Sequence, residues 1–159
     1  MRYKFRGVTG NADVFARLML ECYEQELFGK TDLITWVPVS RRRLRKRGYD
    51  QSEHLAKALG VLVGRTPVKT LVKIRHNNPQ SLQKTPAGRR ANVIGAYRLG
   101  KESVAGKSVL LIDDVVTSGS TVSECAYVLR AAGAKKVYVL ALAKTPKYKK
   151  GLKVVKNRV

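Results

Sequence analysis

The sequence predicts an α/β domain built around a mostly parallel sheet flanked by helices, and three observations carry that expectation. Ser108 to Ile112 reads as a continuous apolar strand, the kind that is buried on both faces in the middle of a parallel sheet. Val122, Cys125, Ala126 and Leu129 then recur at helical spacing and stop at Gly133, and Lys136 to Ala143 (KVYVLALA) is another buried strand. Together these form a strand–helix–strand unit of doubly wound type. A length of 159 residues with 44% hydrophobic content fits one globular domain spanning residues 1–159.

The earlier elements follow from local pattern. Val14 to Leu27 reads as an amphipathic helix with Val14, Leu18, Cys22 and Leu27 near one face. Asp32 to Val39 (DLITWVPV) reads as a strand, with Pro38 near its end, where a missing N–H is tolerated. Trp36 on that strand is expected in the core. Asp50 or Ser52 can cap the next helix, Glu53 suits its first turn, and Leu55, Ala56, Leu59 and Leu62 supply an apolar stripe. His54, beside Glu53, is expected on the surface. Val68 to Ile74 is a further strand. His76 to Asn92 is polar, basic and broken by proline, and loops of that length are commonly lids or binding loops.

Several classes are excluded at this stage. No apolar run reaches the roughly 18 residues needed to cross a bilayer, and the N-terminus lacks the apolar region of a secretory signal. Cys22 and Cys125 are too few for a structural zinc site and show no CxxC spacing. At helical positions they read as inert packing. A soluble protein of a reducing compartment, the cytoplasm, is the expectation.

Charge is the unusual feature. Thirty-two Lys and Arg stand against eleven Asp and Glu, a formal +21. No acidic residue lies between His54 and Lys101, the run Arg41 to Arg47 (RRRLRKR) is basic at every position but Leu44, and a second cluster runs from Lys144 to Arg158. Such an excess is either a solvated basic surface or the footprint of a polyanion, with nucleic acid first and an acidic membrane surface second. The candidate nucleic-acid contacts are Arg41, Arg42, Arg43, Arg45, Lys46 and Arg47, with only modest aromatic support from Tyr49 and Tyr148.

The segment VLLIDDVVTSGST, Val109 to Thr121, carries the candidate site. Apolar residues deliver Asp113 and Asp114 to the end of a central strand, where open α/β sheets place their ligands. Thr117, Ser118, Gly119, Ser120 and Thr121 follow, and then a helix begins. Backbone N–H groups at a helix start favour an anion, Gly119 permits close approach and the hydroxyls add donors. A phosphate cradle results. The adjacent carboxylates cannot bind that phosphate but suit ribose hydroxyls, directly or through Mg²⁺. A phosphate and a diol held a few ångströms apart describe a ribose 5-phosphate. A plain helix cap and a phospho-acceptor site remain the alternatives.

That segment resembles the signature of type I phosphoribosyltransferases, which bind 5-phosphoribosyl-1-pyrophosphate (PRPP). More of the chain is similar to one branch, the ComF competence family. VPVSRRRLRKRGYDQSEHLAKAL resembles that branch's strand, basic loop and Arg-Gly-aromatic-Asn-Gln helix start, and the stretch from Gln80 through Leu82, Arg89 and Asn92 to Tyr97 resembles its mobile loop and following strand. Asp50 stands where Asn is usual and Ser40 where a second Pro is common. The four-Cys zinc ribbon that often precedes the YKFRG-like segment is not in this sequence, and no zinc is expected. The resemblance implies the type I phosphoribosyltransferase fold with a mobile loop over the site. It implies that Asp113 and Asp114 hold the ribose hydroxyls, serve catalysis and position Mg²⁺, while Val115 and Thr117 to Thr121 hold PRPP. It implies further that Val39, Ser40 and Arg41 meet pyrophosphate, with Arg89 and Arg90 on the closing loop. Two functions follow: transfer of phosphoribosyl to an acceptor the sequence does not identify, or PRPP sensing by a protein that binds single-stranded DNA. For either, the resemblance implies a setting in DNA uptake during natural transformation, beside a helicase and a membrane channel.

Overall fold

The computed structural model describes residues 6–27, 29–75 and 91–145. Helix α1 (Arg6–Glu26) leads into strand β1 (Leu33–Trp36), followed by helices α2 (Arg41–Arg47) and α3 (Gln51–Leu62) and strands β2 (Leu71–Lys73) and β3 (Tyr97–Leu99). Strand β4 (Ser108–Val116), helix α4 (Ser120–Ala131) and strand β5 (Lys136–Lys144) complete the order. A three-stranded sheet runs β1–β4–β5, parallel throughout, and β2 with β3 forms a separate antiparallel pair. The fold is thus the expected α/β class with a parallel central sheet.

Two cores lie on opposite faces of that sheet, as strand alternation demands. Leu110 and Ile112 of β4 face α1 and α3, meeting Ala16, Met19, Tyr23, Leu55 and Leu59. Val109 and Leu111 face α4 and the β2–β3 pair, meeting Val122, Cys125, Leu129, Leu71 and Tyr97. Trp36 is buried at 5% exposure, as expected of a core residue. Asp32 fixes the register at the start of the sheet: its N–H donates to the Ser108 carbonyl (2.7 Å) and its carboxylate accepts from the Ser108 N–H (2.8 Å). On the outer edge of β1 a buried Thr35–Thr70 hydroxyl pair (2.8 Å) holds the segment that leads into β2.

Three expectations change. The predicted face of α1 was Val14, Leu18, Cys22 and Leu27, yet Val14 and Leu18 are both 57% exposed. Leu27 is buried as expected, together with Ala12, Ala16, Met19 and Tyr23, because the face turned toward α3 and the sheet is the one that carries Ala16, Met19 and Tyr23. Leu62, expected on the buried stripe of α3, is 40% exposed while Leu55, Ala56 and Leu59 are buried. The basic run is not a loop but the two-turn helix α2, capped by the Ser40 hydroxyl, which accepts from the Arg43 N–H (3.3 Å), and ended by Gly48 at φ 80°. The expected loop from His76 falls, up to Arg90, outside the described residues.

Candidate functional site: a crevice beside strand β4

The site begins with unequal strand lengths. β1 ends at Trp36, opposite Ile112, and the Val37 N–H makes the last bond to the Ile112 carbonyl (2.9 Å). β4 continues to Val116, paired on its other side with β5 through Lys144. Beyond Ile112, the edge of β4 that faced β1 is therefore uncovered, and Asp113 and Asp114 occupy it. Helices lie on opposite faces before and after β4, which makes this a switch point of the kind that opens a crevice in α/β sheets.

The crevice encloses about 260 Å³. Val37 to Val39, Arg43 and Arg47 of α2, and Tyr49 to Ser52 line one wall; Lys73, Tyr97, Asn92 and Val93 line the other; Asp113 to Val115, Thr117 and Thr121 form the floor. A second hollow of about 20 Å³ adjoins it, between Asp113 and the start of α4, with Thr117, Gly119 and Thr121 in its lining.

Each polar group is held by a local cause. Asp113 is buried at 7% exposure and its Oδ1 accepts from the Ser52 hydroxyl (3.2 Å) and the Asp114 N–H (3.0 Å). Burial first, and the neighbouring Asp114 charge second, push its pKa up to about 8. Asp114 Oδ1 accepts from the Val115 N–H (2.7 Å). Asp50 caps α3, its Oδ1 accepting from the Glu53 N–H (3.4 Å), while its Oδ2 accepts from the Val39 N–H (2.9 Å). Desolvation raises its pKa, opposed by those two bonds. At α4, the cap position is Gly119 in the left-handed region (φ 80°), which has no side chain to cap the helix, and the Ser118 hydroxyl accepts from the Ser120 N–H (3.4 Å). The Ser118 and Ser120 hydroxyls pair at 2.9 Å beside it.

The sequence-derived residues fall into three groups. Asp113, Asp114, Val115, Thr117 and Thr121 all line the crevice, and Gly119 lines the adjoining hollow. Ser118 and Ser120 bracket Gly119. Val39 lines the crevice with its N–H already committed to Asp50, Ser40 is committed to the cap of α2, and Arg41 lies on the exposed side of α2 away from the lining. Arg89 and Arg90 lie outside the described residues, as does His76. The other residues proposed for nucleic acid, Arg42, Arg45 and Lys46, are exposed on α2, whereas Arg43 and Arg47 stand in the crevice wall. His54, expected on the surface, is only partly exposed, and its ring stacks on Tyr49 at 5.9 Å.

The sequence reading missed Lys73, Tyr97 and Ser52. Lys73 and Tyr97 face each other across the β2–β3 pair, with the Lys73 ammonium 5.1 Å from the Tyr97 ring centre. Burial lowers the Lys73 pKa, followed by the Arg43 charge across the crevice. The alternation of a strand carrying Leu71 inward would have paired Lys73 with the same face, but a three-residue strand is too short to reveal it.

The donor chemistry fits a hard cation. Two adjacent carboxylates offer oxygen ligands, and no group of three or more His, Cys, Asp or Glu able to hold a metal occurs among the described residues. A Mg²⁺ here would draw its remaining ligands from water and a bound phosphate.

A small hollow at a helix start, next to a carboxylate pair on the overshooting middle strand of a parallel sheet, is the arrangement of a phosphoribosyltransferase fold. Comparison with known proteins agrees: residues 12–157 match the phosphoribosyl transferase domain family, and the chain belongs to it. Within that family its relatives are of the ComF type. It is 36% identical over 115 residues to the DNA utilization protein YhgH of Salmonella typhi, covering 72% of this chain and 50% of the relative. It is 32% identical over 111 residues to competence protein F of Haemophilus influenzae (68% and 48% covered). The chain spans about half the length of these curated relatives. Among solved structures it resembles the allosteric regulatory enzyme of purine biosynthesis, at 25% identity and a TM-score of 0.55, over 82% of this chain and 25% of that one. No helix among the described residues is long and apolar enough to cross a membrane.

Proposed function

We propose that the crevice binds PRPP together with Mg²⁺ and that the protein acts in the uptake and handling of DNA. One observation carries the ligand: Asp113 lines both the crevice and the smaller hollow that adjoins it at the start of α4, with Asp114 beside it in the crevice. The N–H groups of a 12-residue helix start favour a phosphate dianion there. The carboxylates would take the ribose diol. Bound Mg²⁺ supplies neutralisation of the diphosphate. The names of the relatives, DNA utilization and competence proteins, support the physiological setting.

If the bound PRPP reacts, the C1–O bond to pyrophosphate breaks as an acceptor nitrogen bonds to C1. No covalent enzyme nucleophile is needed. This chain's contribution is orientation of the ribose by the carboxylates and stabilisation of the departing anion by wall cations. A second reading is PRPP sensing without transfer, in a protein that holds single-stranded DNA. The observation favouring it is α2, which has no buried residue and exposes a dense basic face.

Calorimetric titration with Mg²⁺–PRPP, followed by a pyrophosphate-release assay across a panel of nitrogenous acceptors, separates the two. Saturable binding with release identifies a transferase; binding without release identifies a sensor. The variant Asp114→Asn should weaken PRPP at least tenfold with the fold intact, since charge-assisted bonds to a ligand contribute about 1.5–3 kcal/mol. Wild-type protein that takes up no PRPP removes this reading.

A further inference from the structure

Helix α2 serves two surfaces at once. At 100° per residue, Arg43 and Arg47 (i, i+4) share the side that lines the crevice, while Arg41, Arg42 and Arg45 project from the other. The helix has seven residues, so it is roughly 10 Å long and about as wide. The two sets of guanidinium groups therefore lie within about one Debye length of each other at physiological salt.

The inner set is unspent. Among the described residues the one ion pair is Lys57 with Glu53 on α3. Arg43, Arg47 and Lys73 make none, although Arg43 is near enough for its charge to disfavour protonation of Lys73. Like charges facing each other across a half-buried crevice repel, and an anion between them converts that repulsion into attraction. The outer set has the chemistry of a phosphate-backbone surface. It lacks the apolar face of a membrane-lying helix, since Leu44 is the only apolar residue of α2. Tyr49, just past the helix, adds an aromatic ring on the crevice wall with one face stacked on His54, and a base could stack on the other.

We propose that α2 makes PRPP and single-stranded nucleic acid mutually antagonistic ligands. The diphosphate of PRPP engages Arg43 and Arg47 from inside the crevice. A strand lying over α2 draws on the same two cations from outside and uses Tyr49 just past the helix. Each ligand lowers the affinity of the other by the same factor, as linkage requires. The acidic pair, which would hold the ribose end and Mg²⁺, is not part of the shared set of cations. This inference rests on the proposed function for its two ligands and adds the coupling between them.

The test uses fluorescence anisotropy of a labelled oligothymidine at constant ionic strength, with and without Mg²⁺–PRPP at a concentration calorimetry shows to be saturating. The expected result is about tenfold weaker DNA binding with PRPP. The plot of log affinity against log salt should be shallower by about 1.4, the change for two phosphate contacts on a single strand. In the variant Arg43→Gln/Arg47→Gln, DNA binding should be weaker at the outset and insensitive to PRPP. In Arg42→Gln/Arg45→Gln it should be weaker but still respond. PRPP uptake with unchanged DNA affinity and slope overturns the antagonism alone. Absence of PRPP uptake overturns the functional reading, and absence of oligothymidine binding by the wild type overturns the shared surface.

Discussion

At Asp113 a carboxyl group sits where burial and a neighbouring charge both oppose its ionisation, so its pKa stands near 8. The consequence for stability has a definite sign. Below about pH 4 the group is protonated in folded and unfolded chains alike and costs nothing. As pH rises through the unfolded value of 3.8, the unfolded chain releases its proton while the folded one retains it. Folding is then opposed increasingly until about pH 8. Asp113→Asn should therefore stabilise the ligand-free protein at neutral pH by on the order of a few kcal/mol. It should also flatten the stability slope between about pH 4 and 8. Denaturation midpoints at pH 4, 6 and 8 decide the matter: equal slopes in both proteins mean that Asp113 is ionised in the folded state. The identity of this residue was legible in the sequence because four apolar residues precede it and a glycine-containing turn follows. Its burial was not, since that depends on Ser52, 61 positions away, closing over it.

Among the elements, β4 was the most legible and α1 the least, and the reason is physical. A strand covered on both faces must be continuously apolar, and VLLI has no other stable setting. A helix packed on one face is read from its apolar spacing, and α1 offers two overlapping stripes, one through Val14 and Leu18 and one through Ala16, Met19 and Tyr23. In α1 the close approach falls at Ala16, completely buried, while Val14 and Leu18 remain outside. This predicts a sharp contrast between neighbouring positions. Met19→Ala should cost about 2–4 kcal/mol through the cavity left against α3 and the sheet, whereas Leu18→Ser should stay within about 0.5 kcal/mol. Urea unfolding of the two variants reads the difference directly, and a large cost at Leu18 would place it in the core. The same ambiguity hid the crevice wall. With RRRLRKR read as a loop, its first residue, Arg41, was the natural partner for an anion. Folded as α2, the helical period turns Arg43 and Arg47 inward and carries Arg41 out.

At the scale of the whole molecule, a net charge of +21 on 159 residues opposes compactness. The described residues offer little internal neutralisation, because their one ion pair joins Lys57 and Glu53 on successive turns of α3. Repulsion among unpaired cations acts over distances set by salt. Raising ionic strength from about 0.01 M to about 0.15 M shortens the Debye length from about 30 Å to about 8 Å. Neighbouring cations on α2 still feel one another at the higher value, but cations on opposite sides of the fold do not. The melting temperature should accordingly rise with salt, by about 3 °C or more, since about 1 kcal/mol moves a domain of this size by that amount. A saturating single-stranded oligonucleotide should raise it further at low salt and lose its effect as salt increases, because counterion release drives that binding. Thermal denaturation along a salt series, with and without the oligonucleotide, separates general repulsion from a built polyanion surface. A rise with salt and no response to the oligonucleotide would leave the basic surface merely solvated. A response to both means that the cations are arranged to be neutralised together, and that the folded state is completed by a polyanion.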